Sequence, residues 1–159
     1  MKKLLIHLIL LSVFCSCSIS EQKEVIDKEV LEKSALIFME NYGNAWNSDM
    51  DSMLQFYSPS DDFFFYTEGK FVNYDEMTVL IHNLFERKST FKGGPFVNHQ
   101  IRILSDKSAI FASELDYIIN DSVGNEVHIT GAATYVLIYD DNSWKIIYGM
   151  GCGEPMTEK

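Results

Sequence analysis

The chain is short of three things: positive charge, histidines at metal-ligand spacing, and an apolar run long enough to cross a bilayer. Thirteen Lys and Arg stand against 23 Asp and Glu, a formal net charge of −10. Such a surface repels phosphate backbones and anionic lipid headgroups, which argues against nucleic-acid binding and against charge-driven membrane attachment. Of the four histidines, His7 lies near the N-terminus, and His82, His99 and His128 show no ligand spacing. No metal and no other cofactor is therefore expected. The run Leu4 to Phe14 has 11 residues, too few to span hydrocarbon as a mature helix. Internal repeats, low-complexity tracts and a second domain are also lacking. What remains is 159 residues, 47% hydrophobic and 13% aromatic, enough for one globular domain with a proper core.

The basic start Met1-Lys2-Lys3 followed by that short apolar run has the layout of a secretory signal. The next residues, "SVFCSCS", resemble the lipobox of bacterial lipoproteins, in which a small residue directly precedes the acylated cysteine. Ser16 before Cys17 fits; Phe14 before Cys15 does not. Phe14, where Leu is usual, and His7 inside the run depart from the pattern, and an ordinary secretory signal is the alternative. The resemblance implies a signal over 1–16, lipidation of Cys17, a tether over 17–23, a domain over 24–155 and a tail over 156–159. Membrane contact then comes through the anchor alone, and the location is the cell envelope, as periplasmic or outer-membrane lipoprotein. Loss of Lys2 and Lys3 leaves 11 basic residues against 23 acidic ones, a net charge of −12. Cys152 becomes the one remaining thiol, which rules out an internal disulfide.

From about Glu24 to Asn47, apolar residues at Leu31, Ala35, Phe38, Met39, Tyr42 and Trp46 trace one face of a long helix. Ser48 and Asp51 have capping-box spacing for a short second helix carrying Met50, Met53, Leu54 and Tyr57, closed by Pro59. Asn73 and Glu76 open a third, whose stripe is Met77, Leu80, Ile81, Leu84 and Phe85. Between the last two, "DDFFFYTEGKFVN" reads as a strand pair turning at Glu68-Gly69. Beyond Lys88 the period falls to 2, and strands are expected at about Val97–Leu104, Ala109–Asn120, Glu126–Tyr139 and Ser143–Cys152. Strands this long demand strong twist. Helices first and antiparallel strands second predict an α+β domain with three N-terminal helices on one face of a curled sheet.

In this order the elements resemble the nuclear transport factor 2-like superfamily, particularly its SnoaL-like bacterial branch. The residues carrying the likeness are Trp46 near the end of helix one, Asp49 opening helix two, Asp61-Asp62-Phe63 before the first strand, and "DDNSWKII" at the last. The resemblance implies a cone enclosing one apolar cavity, and a homodimer formed through the outer face of the sheet. Tyr42, Trp46, Tyr57, Phe65, Tyr148 and Met150 are the residues expected to line the cavity. Steroid-isomerase relatives use a tyrosine on helix one as an oxyanion donor, which makes Tyr42 the one catalytic candidate. Their general base falls on Thr67 here, and their second acid on Ala133 or Thr134. A neutral hydroxyl cannot take a carbon-bound proton near neutral pH. The His-x-His of many SnoaL-like relatives is replaced by Tyr148 and Met150.

Two further groups invite chemistry. Cys152 is flanked by glycines with no histidine or basic residue nearby in sequence, so nothing local activates it as a nucleophile. Its alternative role is packing, with Gly149, Gly151 and Gly153 on the opposite face letting another element approach. Glu114 and Asp116, two apart on one strand, share a side; they make either a carboxylate pair or a solvated face joined by Arg102. The reading favoured is a binding module for a small apolar or aromatic molecule. A SnoaL-like isomerase or dehydratase, and a non-catalytic subunit binding a protein partner, are the alternatives.

Overall fold

The computed structural model describes residues 27–67, 69–86, 90–92, 94–120 and 124–155. The signal segment, Cys17, the tether and the tail lie outside them. Asp27 opens helix α1 (Lys28–Ala45), its carboxylate accepting a hydrogen bond from the Glu29 amide at 2.9 Å. Leu31, Ala35, Met39 and Tyr42 recur at one helical face and are all buried. Close to the end of α1, a side chain at Gly43 would press on Pro95 and Phe96 at 3.3 to 3.4 Å, so glycine lets the sheet approach.

Helix α2 (Met50–Leu54) begins one residue later than its capping-box spacing suggests. The Ser48 hydroxyl donates to the Ala45 carbonyl at 2.8 Å and is thereby committed to the end of α1. Asp49 takes over, accepting from the Ser52 amide and hydroxyl at 2.9 and 2.7 Å. Those two bonds hold the Asp49 carboxyl below the ordinary carboxylate range. Helix α3 (Tyr74–Glu86) is opened as expected by a reciprocal box: the Asn73 side chain accepts from the Glu76 amide, and Glu76 accepts from the Asn73 amide. No helix among the described residues is long and apolar enough to cross a membrane.

The strands are β1 (Phe64–Thr67), β2 (Lys70–Val72), β3 (Thr90–Lys92), β4 (Phe96–Ser105), β5 (Ser108–Asn120), β6 (Glu126–Asp140) and β7 (Ser143–Pro155). They form one sheet in the order β2-β1-β7-β6-β5-β3, with β4 sharing the β3 edge of β5. All pairs are antiparallel except β1 with β7. The β6–β7 hairpin turns on Asp141 and Asn142, both at positive φ (45° and 63°), the geometry a two-residue turn between twisted strands requires. Extra residues in β4, between Val97 and Gln100 and between Ile103 and Ser105, bend the sheet. A third bulge, in β7 between Ile146 and Tyr148, decides which residues of that strand face the helices.

The domain is therefore α+β, with three helices, two of them ahead of the first strand and the third after β2, covering the concave face of a curled sheet. Tyr42, Met53, Tyr57, Phe111, Leu137 and Ile146 are almost wholly buried between the two layers. Trp144 ties them together at one end, its indole N–H donating to Ser34 of α1 at 2.9 Å.

Candidate functional site

Between the helices and the concave face lies a cavity of about 590 Å³. Helix α1 contributes Tyr42 and, at its C-cap, Trp46; the turn after α2 contributes Tyr57; β1 contributes Phe65 and Thr67. The apolar stripe of α3 closes one side, with Asn83 exposed at its rim. Strands β5 to β7 supply the floor through Leu115, Tyr117, Ile119, Tyr135, Gly151 and Gly153. None of the described lining residues is charged. An ionised ligand group among them would have to be stripped of water with no opposite charge to receive it, a cost of several kcal/mol.

The polar content is a row of phenols. The Tyr42 and Tyr57 hydroxyls are 2.7 Å apart, and the Tyr135 ring packs edge-on against the ring of Tyr42. The ring of Tyr42 sits at the centre of an aromatic cluster, 5.8 Å from Tyr57, 5.5 Å from Tyr135, 5.9 Å from Phe96 and 6.1 Å from Trp46. Burial pushes the phenols of Tyr42, Tyr57 and Tyr135 well above the ordinary tyrosine value, reinforced in each case by repulsion from a neighbouring phenol. They are neutral donors and acceptors at any physiological pH, and none is a base.

Tyr42, Trp46, Tyr57 and Phe65 thus meet around the cavity, whereas Tyr148 and Met150 lie on the opposite, convex face. The Tyr148 ring packs on Phe64 at 4.8 Å, and Met150 is 43% exposed. The cause is the β7 bulge: Val136 pairs with Tyr148 but Leu137 pairs with Ile146, leaving Ile147 as the extra residue. One inserted residue exchanges the two faces of everything after it. Gly149, Gly151 and Gly153 consequently turn inward, and the Phe65 ring lies directly over Gly149.

Thr67 lines the cavity at the position where relatives would carry the base, Ala133 is buried beside Gly151, and Thr134 shares the convex face. Cys152 is exposed on that face, opposite Ala132. Glu114 and Asp116 also share it, as their spacing requires, but each has its own partner. Glu114 accepts from Asn98 at 2.7 Å and Asp116 meets His128 at 2.6 Å, in place of a link to Arg102. Among the described residues no three His, Cys, Asp or Glu side chains converge. The sequence reading missed Phe96, Tyr117 and Tyr135, although the period-2 alternation Phe111, Ser113, Leu115, Tyr117, Ile119 aligns one face of β5.

Residues 37–151 match the family described as SnoaL-like domain. A search of curated proteins gives no match. Among solved structures, a nuclear transport factor 2-like superfamily protein from Salmonella enterica superposes with a TM-score of 0.69 at 14% identity, over 83% of this chain and 96% of the other. A proposed scytalone dehydratase from Novosphingobium aromaticivorans gives 0.68 at 12% identity, over 82% and 91%. The association domain of the C. elegans kinase CaMKII gives 0.62 at 10% identity, over 77% and 95%. Likeness at such low identity concerns the fold alone. With 115 consecutive residues matched, the chain belongs to the SnoaL-like domain family, within the nuclear transport factor 2-like fold.

Proposed function

We propose that this domain binds a small, uncharged, mainly apolar molecule that carries an acceptor oxygen. The observation behind the proposal is a buried pair of hydroxyls on the cavity wall. Tyr42 and Tyr57 share a single bond, so one of their two O–H groups is not used between them whichever way that bond runs. A buried donor costs free energy until it finds an acceptor. A ketone or ether oxygen supplies one without bringing charge into an uncharged pocket. Proton abstraction, as an isomerase or dehydratase requires, finds no carboxylate or imidazole among the lining residues described.

The probes that test this are 2-acetonaphthone and 2-naphthoate, one ring system with a neutral or an anionic head. The ketone should raise the melting temperature, by the equivalent of about 2.7 kcal/mol at a concentration 100 times its Kd. The carboxylate should not. Equal binding of both, or of neither, overturns the reading.

Attachment through a lipidated Cys17 and residence in the cell envelope belong to the same proposal, supported by the lipobox-like residues. Metabolic labelling with an alkyne fatty acid should mark the full-length protein and not a C17S variant; an unlabelled wild type would remove the anchor. Pairing of two copies through the convex face is supported by its exposed aromatic residues.

A further inference from the structure

The geometry points to Gly151 as the residue that sets ligand shape: a flat molecule of one or two rings, lying face-down on bare main chain beside Phe65. This rests on the reading that the cavity takes a small uncharged ligand, and adds what that ligand must look like.

Three inward-facing glycines follow one another along β7, and their surroundings differ. A side-chain carbon at Gly149 would stand 2.1 Å from the Phe65 ring, so the protein itself already lays an aromatic ring on that stretch of backbone. At Gly153 the same carbon would meet Ile129 at 2.6 Å, with the Tyr117 hydroxyl at 3.9 Å. At Gly151 it would meet only the Ala133 methyl at 3.7 Å and the Ala132 carbonyl at 4.0 Å, both ordinary contacts. Gly151 therefore opens on the cavity, between Phe65 at one end and Tyr117 at the other.

The distance along β7 from Gly149 to Gly153 is about 14 Å, at about 3.4 Å per residue, and Phe65 takes up the inner part. What is left over Gly151 suits one or two fused rings. Bare peptide planes offer a flat surface, on which a planar molecule makes many dispersion contacts and a globular one few. The buried hydroxyls give an independent reason to expect a ligand here: Tyr57 is 2% exposed, lines the same cavity, and shares with Tyr42 one bond that uses only one of their two O–H groups.

The test uses two neutral ketones, flat 2-acetonaphthone and globular 2-adamantanone, titrated into the wild type, G151A and G151V by calorimetry. Near-UV circular dichroism checks the fold. The wild type should bind the flat ketone at least tenfold more tightly than the globular one. G151V should lose at least tenfold for the flat ketone and less than threefold for the globular one, collapsing the ratio. Should G151V fail to fold, G151A decides, with a loss of threefold or more in that ratio. Equal wild-type affinities, or a ratio unmoved by the Gly151 variants, overturns the assignment and leaves ligand binding standing. Failure of both ketones to bind the wild type overturns the ligand-binding reading and this one with it.

Discussion

The hydroxyls of Tyr42 and Tyr57, fifteen residues apart in sequence, lie 2.7 Å from each other inside the protein. Tyr57→Phe or Tyr42→Phe alone leaves the other hydroxyl buried without that partner, at about 1–3 kcal/mol. The double variant should cost less than the sum of the two, because neither hydroxyl is then orphaned. Urea denaturation of the three variants measures this, and additive losses would mean that the two hydroxyls do not depend on each other.

The same burial fixes the response to alkali. The folded-state values of Tyr42, Tyr57 and Tyr135 are raised, so the native state keeps protons that the unfolded chain releases near pH 10. Their contribution is complete below the unfolded value and is lost as pH climbs above it toward the folded values. The tyrosinate absorbance of these three phenols should appear only late, coincident with loss of circular dichroism. A single smooth titration of all eight tyrosines with the fold intact would contradict the buried row.

Periodicity made the helices and the four long strands legible. Even the Asn73–Glu76 box is visible in the sequence, because a capping box is local chemistry. The cap at Asp49 was displaced by one residue because Ser48 had a competing acceptor, the Ala45 carbonyl, available only once α1 ends where it does. β3 has three residues and no alternation to betray it. The site was legible only up to a parity. Alternation puts Tyr148 and Met150 together and the glycines together, but which set faces inward depends on an extra residue at Ile147, and an isolated bulge leaves no mark in apolar "KIIYG". Tyr42, Trp46, Tyr57 and Phe65 lie outside that strand and were found.

The parity inversion adds Tyr148 to an aromatic patch on the convex face. Phe64, Tyr66, Phe71 and Tyr148 form a connected set of rings there, with centroids 4.8 to 5.9 Å apart, and Phe71 is 64% exposed. A second copy covering this patch would bury it by association. Light scattering should therefore find a dimer for the wild type and a monomer for the double variant Phe71→Asp, Met150→Glu, with unchanged circular dichroism. A wild-type monomer at high micromolar concentration would end the pairing proposal.

Gly149 and Phe65 are in such close contact that substitutions at the two positions should offset each other. Gly149→Ala places a methyl 2.1 Å from the Phe65 ring, and the neighbouring Tyr57 and Tyr135 rings, 6.5 and 6.2 Å away, hinder its withdrawal. Overpacking of this kind costs about 1–3 kcal/mol. Phe65→Ala alone leaves a hole, at about 3–5 kcal/mol. In the Phe65→Ala background the alanine methyl has room, so adding Gly149→Ala should be close to neutral. The coupling between the two should then be about 1–3 kcal/mol and favourable, measurable as a double-mutant cycle in urea. Additive losses would mean that glycine is required at 149 for its backbone and not for the ring above it.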